Sequence, residues 1–137
     1  MLEQIFNSPS MDYLGRGMQA AHMRHDVISN NIANVNTPKF KKSNVVFEDL
    51  LAKELDMDKT DKLEMVRTHD QHLPVGGNDK AMPRIEVQDT TTMRTDHNNV
   101  DIDVEMAGMA KNHIYYNALV RELGGYVSRV KSVIQSK

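Results

Sequence analysis

The sequence has no cysteine and no tryptophan, and its 137 residues include only three phenylalanines and four tyrosines. Without cysteine there is no disulfide, no thiolate nucleophile and no cysteine-ligated metal. Few large aromatics means few side chains that specify a packed core, and the ten methionines in their place are flexible and set shape weakly. No stretch approaches the ~20 apolar residues of a membrane span. No basic segment leading into an apolar run marks a secretory signal, so the chain taken by itself reads as cytosolic. Neither sign of charge dominates: the formal net charge is −2 and both signs are spread along the chain, which gives no electrostatic case for nucleic acid or an anionic membrane. Hydrophobic residues make up 39% of a chain long enough for one ordinary domain.

Catalytic chemistry is equally sparse. His22 and His25 lie one helical turn apart with Asp26 nearby, and His69 and His72 sit beside a loop. Neither group has a third ligand at matching spacing, and His25 falls on an apolar stripe. The acidic run from Asp96 to Glu105 lacks the glycine and the ligand spacing of a calcium loop, and Gly76-Gly77 lacks the lysine and flanking glycines of a phosphate loop. No serine, histidine and acid arrangement stands above chance. The residues thus point to a non-enzymatic protein with no catalytic, cofactor-binding or metal-binding residues, no small-molecule substrate and no nucleic-acid partner.

What is present is helical rhythm at both ends. Ser8-Pro9 offers a capping serine and a first-turn proline. Met11, Leu14, Met18, Ala21, His25, Ile28 and Ile32 then recur at alternating steps of three and four, a heptad seam that predicts a helix from about Pro9 to Val35, on the order of 40 Å long. Gly15 and Gly17 inside it each cost roughly 1 kcal/mol relative to alanine. They are either a tolerated weakness or sites where a neighbouring helix comes close. At the other end Met106, Met109, His113, Tyr116, Val120, Leu123, Val127, Val130 and Ile134 keep the same rhythm for four heptads. Asp101, Asp103 and Glu105 stand at the start of this helix and Arg129, Lys131 and Lys137 near its end, matching the helix dipole at both ends. Gly108 and Gly124-Gly125 weaken it, so both helices should rely on packing, first of all with each other.

Between them the chain turns a corner. Residues Asn30 to Phe40 place four asparagines in seven positions ahead of Thr37-Pro38. Proline drives the residue before it out of the α region, and asparagine side chains readily bond nearby backbone groups. Beyond it, Phe47, Leu50 and Leu51 share one helical face. Residues 52–62 alternate charges and read as solvated surface or loop. Leu63 and Met65, then Ile85 and Val87, alternate with polar neighbours, as two short strands joined by a long irregular loop.

The corner resembles the N-terminal signature of the bacterial flagellar axial proteins, the family that builds rod, hook and hook-filament junction. The match is carried by Asn30, Asn31, Ile32, Ala33 and Asn34, then Thr37, Pro38 and Phe40. A second match, Asn98-Asn99-Val100-Asp101-Ile102-Asp103-Val104-Glu105-Met106, narrows the resemblance to the proximal rod proteins of that family. One departure is His97, where the family's pattern expects glycine.

The resemblance implies a mainly α fold. Long terminal helices over residues 1–36 and 101–137 would pair as a coiled-coil-like bundle and form the inner axial domain. Residues 37–100 would form an extended or loop segment between them, with a short helix and a β-hairpin. It implies a structural rod subunit of the flagellar basal body that transmits torque. Its partners would be other copies of itself, other rod proteins, and basal-ring and export-gate components. It would be exported unfolded without a cleaved signal. Phe47 and Leu51 fit the spacing by which such subunits are thought to present themselves to the export gate. The competing reading is a soluble helical adaptor or export chaperone using the same seams.

Overall fold

The computed structural model describes residues 9–59, 80–93 and 95–135. Five elements follow in chain order: α1 (Pro9–Ala33), β1 (Ser43–Val46), α2 (Glu48–Lys59), β2 (Arg84–Val87) and α3 (Ile102–Gln135). The expected cap at Ser8, the expected strand at Leu63 and Met65, and the residues His69, His72 and Gly76-Gly77 lie outside the described residues.

The fold is mainly helical, with the two long helices side by side. They run antiparallel: Gly108 meets Ile28, Asn112 bonds Ala21, and Leu119 meets Gly17. Farther along, Tyr126, Val127 and Val130 line a cleft with Met11. At 1.5 Å per residue α1 is about 37 Å long and α3 about 51 Å, so the last turns of α3 reach past the start of α1. Two glycines do the work of close approach, since a Cβ at Gly17 would sit 3.5 Å from Leu119 and one at Gly108 would sit 3.8 Å from Ile28.

The helices pair, but over its first half α3 does not turn its apolar seam inward; only Val127, Val130 and Ile134, near its end, face Met11. Towards α1 it presents Glu105, Gly108, Asn112, Tyr115 and Leu119, the same rhythm displaced by one residue. Met106, Tyr116, Val120, Val127 and Ile134 are exposed, and Met109, Leu123 and Val130 lie half-buried at the border. On α1 the seam fares differently: Ala21 and Ile28 are buried and Met11, Leu14, Met18 and Ile32 half-buried, while His25 is exposed, as is His113 on α3. Apolar counting picks the greasiest stripe, whereas the inner contact is built from glycine, asparagine and a buried carboxylate.

β1 and β2 form a two-stranded antiparallel sheet in which Val45 pairs with Ile85. The expected strand at Ile85 and Val87 is present, and among the described residues its partner is Ser43–Val46, just ahead of the helical face at Phe47, Leu50 and Leu51. Val45 and Val46 carry β-branched propensity there. The run 52–62 is not loop throughout, because α2 continues to Lys59. Glu48 and Asp49 in its first turn favour the dipole, and a charge-alternating run with good helix formers suits an exposed helix as well as a loop.

Among the described residues the buried side chains comprise nine apolar ones (Ala20, Ala21, Val27, Ile28, Val45, Phe47, Ala81, Pro83 and Val100) and six polar ones (Arg16, Asn31, Asn98, Asn99, Glu105 and Asn112). Only Phe47 is a large apolar group, so much of the specificity must come from hydrogen bonds.

Candidate assembly corner and outer helix face

The corner begins where α1 runs out of helical geometry. The Asn34 amide donates to both Asn30 and Asn31 carbonyls at 3.2 Å, and Val35 donates to Ile32 at 3.2 Å, so the last turn tightens before Pro38. The Asn34 side chain donates to the Asn30 carbonyl at 2.9 Å and accepts from the Thr37 hydroxyl at 3.2 Å. Lys39 takes a positive φ of 62° and its amide reaches the Asp96 carbonyl at 2.9 Å.

The second asparagine pair docks onto this end. Asn98, fully buried, donates from Nδ2 to the carbonyls of Asn34, Val35 and Thr37 at 3.0, 3.1 and 2.9 Å, while its Oδ1 accepts from Val100 at 2.7 Å. It therefore holds the carbonyls of the turn that follows α1 from some sixty residues away, a task usually met by neighbours in sequence. Asn99 accepts from the Lys42 amide at 2.7 Å and donates to the Gln88 carbonyl at 2.8 Å, fixing the start of β1 to the end of β2. His97, just before the pair, has φ 66°. That is the left-handed geometry for which the family pattern's glycine is suited, here carried by histidine.

Asn31 closes the arrangement from α1. Its carboxamide accepts from the Ser43 amide at 3.0 Å and donates to the Ser43 carbonyl at 2.9 Å, and it also donates to Glu105 at 3.1 Å. Lys42 lies 3.7 Å from Glu105. α3 starts beside this point, with Asp101 Oδ1 accepting from the Asp103 amide at 3.0 Å as the N-cap. One corner thus joins α1, the sheet and α3.

A separate clasp holds the middle segment to α1. Buried Arg16 donates to Glu54 at 2.7 and 3.1 Å and to the Ala81 carbonyl at 2.9 Å, Glu54 accepts from the Ala81 amide at 2.7 Å, and Tyr13 stacks under the guanidinium. The hydrogen bonds from Arg16, aided by the Ala81 amide and opposed by desolvation, hold the Glu54 carboxyl below its ordinary range. Hydrogen bonding to Glu54 raises Arg16, whose charge is constant at any working pH. Because the folded Glu54 pKa lies below the unfolded one, the clasp stabilises fully above the ordinary carboxylate range and is lost as pH falls through the depressed folded value. Glu54→Gln is expected to lower stability at neutral pH and to flatten the acid limb, as read by urea unfolding at pH 7 and pH 3. A parallel acid limb in the variant would place the titrating group elsewhere.

Of the residues singled out in the sequence, Asn31 is buried at the corner, Ile32, Asn34 and Phe40 are half-buried, and Asn30, Ala33, Thr37 and Pro38 are exposed. Phe47 is 1% exposed and starts the first turn of α2, its carbonyl accepting from Leu51 at 2.9 Å. Arg16, Glu54 and Asn112 carried no local signal. The first two are 38 residues apart in chain, and Asn112 sits among apolar heptad positions. His22 faces Asp26 at 3.8 Å on the surface, and among the described residues no three metal-ligating side chains converge there or elsewhere. No helix among them is long and apolar enough to cross a membrane.

The two signature stretches therefore meet in space as one polar joint, and comparison with known proteins finds the first of them inside a family match. Residues 11–41, which span α1 and the corner, match the family model described as flagella basal body rod protein. The chain is 33% identical over 127 residues to the flagellar basal body rod protein FlgB of Bacillus subtilis, covering 93% of this chain and 94% of that one. It is 34% identical to the FlgB of Borreliella burgdorferi, covering 92% and 96%. It is 27% identical to that of Proteus mirabilis, covering 98% of each chain. Identity of a third across nearly the whole of both chains, with the corner inside the matched region, means that this chain belongs to the flagellar basal body rod protein FlgB family.

Proposed function

We propose that the chain is a structural, non-enzymatic subunit of the flagellar basal-body rod, in its proximal part. The observation that carries the reading is the stripe Met106, Tyr116, Val120, Val127 and Ile134, which stays exposed after α1 has packed against α3. A heptad stripe of that length left in water is costly and is satisfied by helices of neighbouring subunits. Residues 1–36 and 101–137 would form the inner axial domain, with residues 37–100 outside it. Heterologous contacts that do not close grow a filament, with other copies of this chain, other rod proteins and basal-ring components as neighbours.

Torque transmission follows from close packing. Rotating one end of a bundle of long helices against the other must shear many interlocked side chains at once, and packed interiors resist such deformation. The corner contributes by tying α1, the sheet and α3 into one body.

Export would precede folding. Phe47 and Leu51 could be read by an export gate only in the unfolded chain, because the folded chain buries the Phe47 ring. A strain lacking the gene is expected to assemble no rod and to be non-motile, with both restored by a plasmid copy. Normal basal bodies in electron micrographs of the deletion strain would overturn the assignment and favour an adaptor role.

A further inference from the structure

The two edges of the small sheet differ. In the observed register Lys42 lies opposite Gln88, and the Gln88 amide donates to the Lys42 carbonyl at 2.9 Å. Hydrogen-bonded and non-bonded pairs alternate in an antiparallel ladder. Asn44 with Glu86 and Val46 with Arg84 are therefore bonded pairs, while Ser43 and Val45 point their backbone groups away from β2, and Ile85 and Val87 point theirs away from β1. The outer edge of β1 is closed, since the Asn31 carboxamide bonds both the amide and the carbonyl of Ser43. Along the edge of β2, among the described residues, nothing takes the same place. Its side chains are also open, with Ile85 53% and Val87 57% exposed.

We infer that this edge is a self-pairing surface, on which β2 of a second copy adds antiparallel with Ile85 opposite Ile85. The inference does not rest on the rod reading. Three features of that register favour this occupant. Ile85 would exchange both backbone hydrogen bonds with its own image, which uses the outward groups. Arg84 of each copy would lie opposite Glu86 of the other, so the Arg84–Glu86 ion pair now made within the strand at 2.8 Å is exchanged for two cross-strand pairs. The second Ile85 would also close the open side of the shallow groove that Ile85 forms with Met23, Val27 and Ser43. A shift of two residues would set Glu86 against Glu86 and loses the charge match. Pro83, with no amide hydrogen, limits the ladder on one side.

The paired strands are four residues long, far short of a standard interface, so the pair is weak and transient. It is two-fold and closed, which makes it a state of the soluble chain rather than a step in filament growth.

The absence of cysteine makes the test clean. In full-length protein Ile85→Cys is expected to form a disulfide-linked dimer under mild oxidation, because bonded partners in such a ladder have Cα atoms about 5.5 Å apart, within disulfide reach. Val87→Cys, whose image lies across from Pro83, is expected to cross-link about tenfold more slowly. Adding Glu86→Arg to Ile85→Cys is expected to slow cross-linking by about tenfold, and the double exchange Arg84→Glu with Glu86→Arg to restore it. Equal rates for the two cysteine positions, indifference to the charge changes, or an Ile85→Cys chain that stays monomeric would each overturn the inference. In the unmodified chain, amide exchange at Ile85 should slow with protein concentration, and a rate independent of concentration would equally overturn it.

Discussion

Replacing Asn98 with leucine is expected to cost about 3–5 kcal/mol, a large share of the stability of a domain this size. The side chain is fully buried, and four backbone groups depend on it: the carbonyls of Asn34, Val35 and Thr37 and the amide of Val100. Leucine matches its volume but offers neither donor nor acceptor, so those groups lose their partner while partly shielded from water, at roughly 1–3 kcal/mol for each one left unsatisfied. Some recover bonds by relaxation, which keeps the total below the sum. Asn98→Asp separates chemistry from shape. It keeps the acceptor for Val100 but turns an oxygen towards three carbonyl oxygens, and should be at least as damaging as leucine. Urea unfolding followed by circular dichroism measures both. If either variant came within about 1 kcal/mol of the parent, the corner would be held by its apolar contacts and the carboxamide would be incidental.

The same residue shows where sequence reading stops. Both long helices are legible because their periodicity is local, and their ends are marked by Pro9 at one and by Asp101 at the other. The turn at Asn30 to Phe40 is legible for the same reason. What Asn98 does with it is not, since its acceptors lie 61 to 64 residues away and no spacing rule joins them. His97 is an intermediate case: the family pattern marks the position for glycine, and its φ of 66° gives the reason, but the histidine alone announces nothing. β1 was not legible because Ser43–Val46 is short and does not alternate polar with apolar residues, whereas Phe47, Leu50 and Leu51 do mark the start of α2. The residues by which the first half of α3 meets α1 were not legible for a different reason. Gly108 and Asn112 carry the contact with α1, and a count of apolar residues cannot see a contact built from small and polar ones.

That contact bears on assembly, because over the first half of α3 the stripe the heptads picked out is the one the folded chain leaves available. Aspartate at both Met106 and Val120 is expected to abolish rod assembly and motility while leaving the isolated chain's stability within about 0.5 kcal/mol. Met106 and Val120 are 53% and 40% exposed, about four turns apart on one face, so in the monomer each carboxylate stays in water. In a packed helix interface each would be an unpaired buried charge costing several kcal/mol, repeated at every copy along the lattice. Leu119→Asp is the informative contrast, because Leu119 packs 3.5 Å from the Cβ position of Gly17 and its loss should unfold the hairpin directly. Thermal melts of the purified variants, beside motility and basal-body preparations from cells producing them, separate the two effects. A folded double variant that still built normal rods would show that the exposed stripe faces solvent in the assembly, and the subunit contacts would then have to be sought on α1 and around the corner.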